Sequence, residues 1–315
     1  MSKRRIGQVH TYRVKKAKAG GRKASLLFML LPAVVLVFLF NYIPIYGIVI
    51  AFKDFSPFQG IFKSPWVGFK YFHAFLTDST FWTVMKNTLI INFYDVIFGF
   101  TAPILFALLL NEMMNRHAKK IIQTISYLPH FLSWVIVAGI FYQMLSPGQS
   151  GIINGYLVKF FGIQPVYFMA EEKYFVAITV FAEIWKSVGW SAILYFATLA
   201  GIDPTLYEVS HIDGASRPRQ ILHITLPALA PVISLMLVLK ISTIFTIGFE
   251  RLFVLQNSLV LSVSEVISTY VYRSGLLKSQ FSFTTAIGLT QSGLGFLLLL
   301  GCNKVSRRLT GTGLY

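Results

Sequence analysis

Residue types that carry covalent chemistry are few in this chain, and their spacing forms no catalytic pattern. The six histidines lack H-E-x-x-H spacing, and Cys302 is the single cysteine, so neither a histidine zinc motif nor a thiolate metal site is predicted. No G-x-x-x-x-G-K-[ST] run is present to bind ATP. Ser292 resembles a nucleophile-elbow serine, but Thr290 replaces the first glycine of G-x-S-x-G and the segment is apolar. Close packing of helix backbones explains the small residues of this stretch better: Gly288, Ser292, Gly293 and Gly295. We predict no catalytic residue and no metal site.

Ionisable residues within apolar segments can do a different chemistry, the binding of a cargo or the relay of protons. Charges at membrane depth are costly and commonly face a bundle interior or a water-filled path. Asp95 lies close in sequence to Asn92 and Tyr94. Its role is either an internal hydrogen-bond anchor or a part of such a path.

A second polar group occurs later in the chain. Glu183 and Lys186 are three residues apart and can pair on one helix, with Trp190 on nearly the same face. The group serves either as a tie between helices or as a surface that lines a translocation path. If the cargo is acidic, Lys186 and Arg251 are candidates for compensating its charge.

The polar loop 201–227 predicts two short helices. Asp203 suits the N-cap and Pro204 the first helical position, which has no intrahelical amide bond to lose. The helix should run to about Asp213, because Gly214 can adopt the left-handed conformation that ends a helix. A proline four residues later suits the start of the next helix.

The first of these helices is short and amphipathic. Its apolar residues recur at three-residue spacing, with polar residues offset from them: Leu206, Val209 and Ile212 against Glu208, His211 and Asp213. Such a helix can lie on a membrane surface or dock into a protein groove. Because it is acidic, it gains nothing from anionic lipid headgroups, so a protein groove is favoured.

Composition identifies the solvent in which these groups must be positioned. Of 315 residues, 55% are hydrophobic and only 13% charged, whereas soluble domains carry about 25% charged residues. A soluble domain is therefore excluded. The aromatic content of 16% excludes a disordered chain, and the single cysteine excludes a disulfide scaffold. The net charge of +16 marks membrane topology rather than a nucleic-acid partner.

Six apolar segments are long enough to cross a bilayer, where roughly 20 residues suffice. They are Ser25 to Ala51, Phe81 to Leu110, Ile121 to Leu145, Tyr174 to Leu199, Pro227 to Gly248 and Phe283 to Cys302. A short interfacial helix is expected near Gly151 to Phe161. The fold class predicted is an all-α, polytopic membrane protein with six transmembrane helices.

The distribution of Lys and Arg predicts the orientation of these helices. Nine cations and no acid precede residue 25. With the N-terminus inside, 17 cations flank the inner face and eight, Arg251 among them, lie outside. Cytoplasmic loops are enriched in Lys and Arg, so an N-in, C-in topology is expected.

The loop carries a resemblance to a known family. Glu208, the run Asp213-Gly214-Ala215 and the later Leu226-Pro227 resemble the EAA loop of binding-protein-dependent ABC importer permeases. The sequence departs from that family at Val209 and Ser210, where alanines are usual. The resemblance implies a type I permease fold and a coupling helix that docks on an ATPase, through Glu208, Val209, His211, Ile212, Asp213, Gly214 and Ala215.

Other motifs resemble the sugar branch of this family. They are Asn87-Thr88, Tyr127-Leu128-Pro129, Ile184-Trp185-Lys186 with Gly189-Trp190, and the run Glu265 to Arg273. The resemblance implies an oligosaccharide cargo, and some such relatives import uronate-rich fragments. The candidate cargo path comprises Asn92, Tyr94, Asp95, Glu183, Lys186 and Trp190.

The resemblance also implies partners and a location. The chain is expected in the bacterial inner membrane, with a second, related permease, two ATPase subunits that hold ATP and Mg, and an extracytoplasmic solute-binding protein. No cofactor is expected in the chain itself. The predicted organisation is a basic cytoplasmic segment 1–24, a permease domain 25–302 with coupling loop 203–227, and a cytoplasmic tail 303–315.

Two other classes of function are compatible with parts of the sequence. In a secondary transporter or channel, Asp95 and Glu183 would relay protons or line a pore. A membrane scaffold would leave the structured loop without a role. Dependence of uptake on ATP distinguishes the importer from the secondary transporter.

Overall fold

The computed structural model describes residues 19–148, 151–246 and 248–310. The predicted segment 1–24 therefore lies outside the described residues as far as residue 18, and the predicted tail 303–315 does so from residue 311. Within the described part, five helical stretches are long and apolar enough to cross a membrane, and a bent pair of helices makes a sixth. The six predicted segments correspond to these stretches.

The N-terminal unit, which the structure describes from residue 19 to Val49, is a unit of its own. Its described helices are α1 (Ala19–Val37), a π-helical turn (Phe38–Tyr42) and a 3₁₀ stretch (Ile43–Phe52) that continues into the second unit. All side chains from Leu27 to Tyr46 are exposed, although most are apolar. Such a surface is suited to lipid or to a partner helix rather than to water.

The second unit, Ile50–Tyr315, begins with two short helices, α2 (Gly60–Lys63) and α3 (Lys70–Thr77). The second span follows as α4 (Ser79–Tyr94), a π-helical turn (Asp95–Gly99) and α5 (Phe100–Asn111). Asp78 caps α4 by accepting a hydrogen bond from the Thr80 amide at 2.8 Å. The π-helical turn interrupts the regular ladder at Asp95, and such interruptions are frequent at functional sites.

The third span is broken. It consists of α6 (Arg116–Tyr127), a 3₁₀ turn (Leu128–Phe131) and α7 (Trp134–Met144), with a bend of 105° before α7. Pro129 disfavours a continuous helix, and Ser133 starts the new one by accepting a hydrogen bond from the Ile136 amide. A single continuous segment from Ile121 to Leu145 is therefore not what forms. The interfacial helix expected near Gly151 to Phe161 is present as α8 (Ile152–Phe161).

The fourth span, α9 (Glu172–Ala200), is a continuous helix of 29 residues. The following loop forms α10 (Pro204–Ile212) and α11 (Arg217–Gln220), and a π-helical turn (Ile221–Thr225) leads into α12 (Leu226–Ser242), the fifth span. That span ends at Ser242 and not at Gly248 as predicted. Backbone of irregular conformation follows it.

Short helices connect the fifth span to the sixth. They are α13 (Phe249–Leu255), a 3₁₀ turn (Ser258–Val260), α14 (Leu261–Ser264), α15 (Ile267–Val271) and a π-helical turn (Tyr272–Leu277). The sixth span, α16 (Phe281–Thr310), continues past Cys302, where the apolar segment was expected to end.

Three apolar clusters hold the second unit together. One joins α4, α7, α9 and α13 around Ile91, Phe175 and Leu252. Another packs α3 and α4 on α16, and the third packs α5 and α12 on α9. Helices in lipid associate by close packing, and a Cβ on Gly189 of α9 would lie 2.3 Å from the Ser126 carbonyl oxygen of α6.

The small residues of α16 make fewer close contacts than expected. A Cβ on Gly295 would lie 2.9 Å from the Ser242 carbonyl oxygen, which fits a helix interface. A Cβ on Gly288 or Gly293 would meet nothing within 4 Å. Close packing therefore accounts for Gly295 and not for those two glycines.

Candidate functional site: an intramembrane polar cluster and a polar loop

A buried ion cluster links three parts of the bundle. Arg251 Nη2 lies 2.6 Å from Asp95 Oδ2, and Arg251 Nη1 lies 3.2 Å from Asp95 Oδ1 and 3.1 Å from Glu183 Oε2. The side chains of Arg251 and Asp95 are each 4% exposed, whereas that of Glu183 is 30% exposed. The guanidinium therefore makes a bidentate contact with the buried Asp95 carboxylate and a single contact with the more exposed Glu183 carboxylate.

This arrangement corrects two expectations from the sequence. Glu183 pairs with Arg251 and not with Lys186. Arg251 lies in α13, within the segment between the fifth and sixth spans, and its guanidinium contacts the π-helical turn of the second span, so its charge is already compensated. It is therefore not available to balance an acidic cargo.

The break after the fifth span lies beside this ion cluster in sequence and space. Asn92 Nδ2 donates to the Ile244 carbonyl oxygen at 2.6 Å, and Gln291 Nε2 donates to the carbonyl oxygen of Phe245. Irregular backbone at membrane depth is tolerated only where it is buried in protein or lines a water-filled cavity. Asn92, 4% exposed, thus serves as a backbone anchor. Two amide side chains in apolar helices, Asn92 and Gln291, are a weak signal for this role.

An aromatic and cationic cluster occupies the bend of the third span. Lys186 Nζ donates to the His130 carbonyl oxygen at 2.6 Å and lies 5.6 Å from the centroid of the Trp134 ring. The His130 ring stacks on Trp190 with centroids 4.4 Å apart and planes 2° apart. Trp190 is 46% exposed. Lys186 and Trp190 therefore meet through His130, which the sequence reasoning did not single out.

Tyr94 belongs to neither cluster. Its ring stacks on Phe98 at 6.1 Å and lines a cavity of about 450 Å³ between the second and fourth spans. Other walls of that cavity are the apolar residues Val176, Val180 and Phe181. The six predicted path residues therefore lie in three places. Asn92, Asp95 and Glu183 lie at or beside the ion cluster, Lys186 and Trp190 lie at the bend of the third span, and Tyr94 lines the apolar cavity.

A polar cavity of about 600 Å³ lies beside the start of the second span. Tyr71 donates its hydroxyl to Asp54 at 2.5 Å, and Lys70 pairs with the same carboxylate at 3.2 Å. These hydrogen bonds lower the pKa of Asp54, while burial and the bond to Asp54 raise the pKa of Tyr71 to about 12. Opposite, Tyr270 donates to Asp78 at 2.9 Å. Of its residues, only Tyr270 belongs to a run that the sequence analysis singled out, Glu265 to Arg273, and that run was not associated with a cavity.

The loop after the fourth span has the local structure that its sequence predicts. Asp203 accepts a hydrogen bond from the Thr205 amide at 3.0 Å, which lowers the pKa of the Asp203 carboxyl. Gly214 has a φ of +74°, and Ala215 N donates to the Ser210 carbonyl oxygen at 2.9 Å. The helix α10 ends at Ile212, one residue before the predicted end.

The side chains of α10 present a mixed apolar and acidic surface. Val209 is 57% and Ile212 84% exposed, and Glu208, His211, Asp213 and Gly214 are exposed as well. Ala215 is half-buried. Exposed apolar residues rimmed by polar ones typically mark a binding surface for another protein. Among the described residues no group of three His, Cys, Asp or Glu side chains could hold a metal ion.

Comparison with known proteins identifies the class. Residues 96–310 match the family described as binding-protein-dependent transport system inner membrane component. The chain belongs to this family.

Individual relatives extend the match over nearly the whole chain. It is 42% identical over 290 residues, 92% of this chain and 90% of the relative, to the polygalacturonan/rhamnogalacturonan transport system permease protein YteP of Bacillus subtilis (strain 168). It is 39% identical over 294 residues, 93% of this chain and 92% of the relative, to Protein LplB of the same organism.

Solved structures agree with these relatives. A chain of a bacterial ABC transporter that imports the acidic polysaccharide alginate shares 37% identity with a TM-score of 0.84, covering 92% of this chain and 97% of that one. The same kind of transporter in complex with an alginate pentasaccharide-bound periplasmic protein gives 37% identity and a TM-score of 0.85, covering 93% and 98%. The all-helical type I permease fold is thereby confirmed.

The function class follows from these matches. The chain is a multi-pass permease subunit of a binding-protein-dependent sugar ABC importer, and ATP hydrolysis belongs to separate ATPase subunits. Nothing in the matches supports a secondary transporter or channel that relays protons through Asp95 and Glu183.

Proposed function

We propose that this permease imports a uronate-containing oligosaccharide across the bacterial inner membrane. The observation that carries the proposal is the near full-length likeness to a permease named for polygalacturonan and rhamnogalacturonan and to the structure of an alginate importer. Cargo would arrive from an extracytoplasmic binding protein, as the periplasmic protein of the alginate complex suggests by analogy.

The cluster at the bend of the third span is the proposed cargo surface. A half-exposed Trp190 offers a flat apolar face to a sugar ring, and the stacked His130 enlarges that face. Lys186 supplies a cation close by, and its ammonium has three donors, one of which bonds to the His130 carbonyl oxygen. Because Arg251 is committed to Asp95 and Glu183, Lys186 is the better candidate for balancing a carboxylate.

The partner subunits complete the proposal. A second, related permease of different sequence would form the other half of the pathway, and two ATPases would hold ATP and Mg. The exposed Glu208, Val209 and Ile212 on α10 would dock on one ATPase. This requires the N-in, C-in orientation that the excess of cations on the inner flanks favours.

Substitution of Lys186 tests the cargo proposal. Lys186→Gln should reduce uptake of a uronate oligosaccharide about tenfold more than uptake of a neutral oligosaccharide of equal length, since an ion pair within a partly desolvated site is worth roughly 1.4 kcal/mol or more. Lys186→Arg should retain much of the preference. Equal losses for both cargos would exclude charge pairing at Lys186.

A further inference from the structure

The side of α10 that faces the membrane domain is fastened to the entry of α12 by side-chain hydrogen bonds. Gln220 Nε2 donates to Ser210 Oγ at 2.9 Å and to the Tyr207 carbonyl oxygen at 3.4 Å. Ser210 Oγ in turn donates to the Tyr207 carbonyl oxygen at 2.9 Å. The Tyr207 hydroxyl lies 3.0 Å from Thr225 Oγ1.

The anchoring side chains on the α12 side are deeply buried. Gln220 is 5% and Thr225 1% exposed. Gln220 directly precedes the π-helical turn Ile221–Thr225, and Thr225 is its last residue. Through this turn α11 continues into α12. Buried polar groups that bond to one another fix the geometry of the elements that carry them.

The covalent connection between α10 and α11 is a poor mechanical link by comparison. Residues 213–216 include Gly214 at a φ of +74° and an extended Ser216, and Gly214 is exposed. A displacement of α10 could be absorbed by rotation in this short linker. The hydrogen bonds of Tyr207 and Ser210 instead join α10 directly to Thr225 and Gln220, at the start of the fifth span.

We propose that Tyr207, Ser210, Gln220 and Thr225 are positioning residues that transmit the movement of α10 to α12. The inference rests on the proposed role of α10 as the helix that docks on the ATPase. Glu208 and Ile212 on the outer side of α10 would receive the movement, and the four positioning residues on its inner side would pass it on.

The test measures oligosaccharide imported per ATP hydrolysed by the complete transporter in proteoliposomes with its binding protein. Gln220→Leu keeps the side chain's size but removes both donated hydrogen bonds, and should lower this ratio about fivefold to tenfold, the range that one or two net hydrogen bonds correspond to. Ser210→Ala and Tyr207→Phe, which delete only a hydroxyl, should lower it less. The double variant Ser210→Ala/Gln220→Leu should fall no further than Gln220→Leu, because the Ser210 hydroxyl is bonded to the α12 side only through Gln220.

Two further variants make the outcome decisive. Ser216→Ala, at an exposed N-cap whose side chain makes no capping bond, should leave the ratio unchanged. Ile212→Asp should abolish co-purification of the ATPase, and failure to do so would overturn the docking role itself. If Ile212→Asp behaves as expected but Tyr207→Phe, Ser210→Ala and Gln220→Leu keep the normal ratio, or lose transport and ATP hydrolysis in parallel, the positioning role is overturned alone.

Discussion

At the scale of single residues, Arg251 organises the polar interior. It engages Asp95 and Glu183, two residues that the sequence singled out, although Arg251 itself looked like a loop cation. Taking charges out of water is costly, and attraction between them repays the cost only when geometry and hydrogen bonding are good. The bidentate contact to Asp95 meets that condition. The ion cluster is therefore a tie between the π-helical turn Asp95–Gly99, α9 and α13 rather than a vacant cargo site.

Removal of Arg251 should destabilise the protein strongly. Arg251→Met leaves the buried Asp95 without its partner, at an expected cost of about 3–5 kcal/mol, and Asp95→Leu/Arg251→Met should recover much of the loss. Glu183→Gln should cost less, because the Glu183 side chain is 30% exposed. Thermal unfolding of the purified transporter measures these effects. A loss for Arg251→Met no larger than for Lys86→Met, an exposed cation of α4, would contradict this role.

The pair of Asp54 and Tyr71 gives a pH dependence with a defined sign. The lowered pKa of Asp54 means that its contribution is present above the ordinary aspartate pKa of about 3.9 and is lost as pH falls through the lower folded value. The raised pKa of Tyr71 means that its contribution is present below about pH 10 and is lost as pH rises through about 12.

Tyr71→Phe should therefore lower the melting temperature by a constant amount between about pH 5 and about pH 9. The difference from the unsubstituted protein should shrink on either side of that range. Tyr167→Phe, at an exposed position, is the matched loss of a hydroxyl. A difference that grows on acidification would contradict the assigned pair.

At the scale of secondary-structure elements, local features could be predicted from the sequence and interruptions of helices could not. The cap at Asp203, the left-handed Gly214 and the helix near Gly151 to Phe161 depend on neighbouring residues alone, and all three are present. The early end of α12 at Ser242 depends on distant partners, Asn92 and Gln291. The bend between Phe131 and Trp134 has local causes, Pro129 and Ser133, but a count of apolar length does not register them. Hydropathy cannot locate such breaks, because the residues flanking them are apolar in either case.

Contact between α6 and α9 depends on the absence of a side chain at Gly189. Gly189→Ala would place a methyl group 2.3 Å from the Ser126 carbonyl oxygen, so the helices must separate. We expect a loss of about 1–3 kcal/mol, typical of overpacking, together with reduced uptake because Lys186 and Trp190 lie on the same helix.

The matched control for this substitution is in the neighbouring helix. Gly139→Ala in α7 meets nothing within 4 Å and should be neutral or slightly stabilising, since alanine favours helix. Thermal unfolding compares the two variants. Equal stability of Gly189→Ala and Gly139→Ala would show that α6 and α9 do not pack as described.

At the scale of the whole molecule, the chain combines an exposed surface on α10 with a polar interior. Its fold and class could be predicted because apolar length, loop charge and the Glu208 to Ala215 pattern are encoded locally. The distribution of the predicted path residues among three places could not be predicted, because it depends on which residues distant in sequence contact one another. As a permease subunit, the chain supplies the route and separate ATPase subunits hydrolyse ATP, and we propose that α10 is the mechanical link between them.

Uptake by the reconstituted importer tests whether the chain takes part in ATP-driven import of a uronate oligosaccharide. The chain would be combined with its partner permease, the ATPases and the binding protein in proteoliposomes, and uptake of a labelled uronate oligosaccharide would be compared with that of a neutral one of equal length. We expect uptake that requires ATP and the binding protein, persists when proton gradients are collapsed, and favours the uronate cargo. Uptake driven by a proton gradient without ATP, or a preference for the neutral cargo, would contradict it.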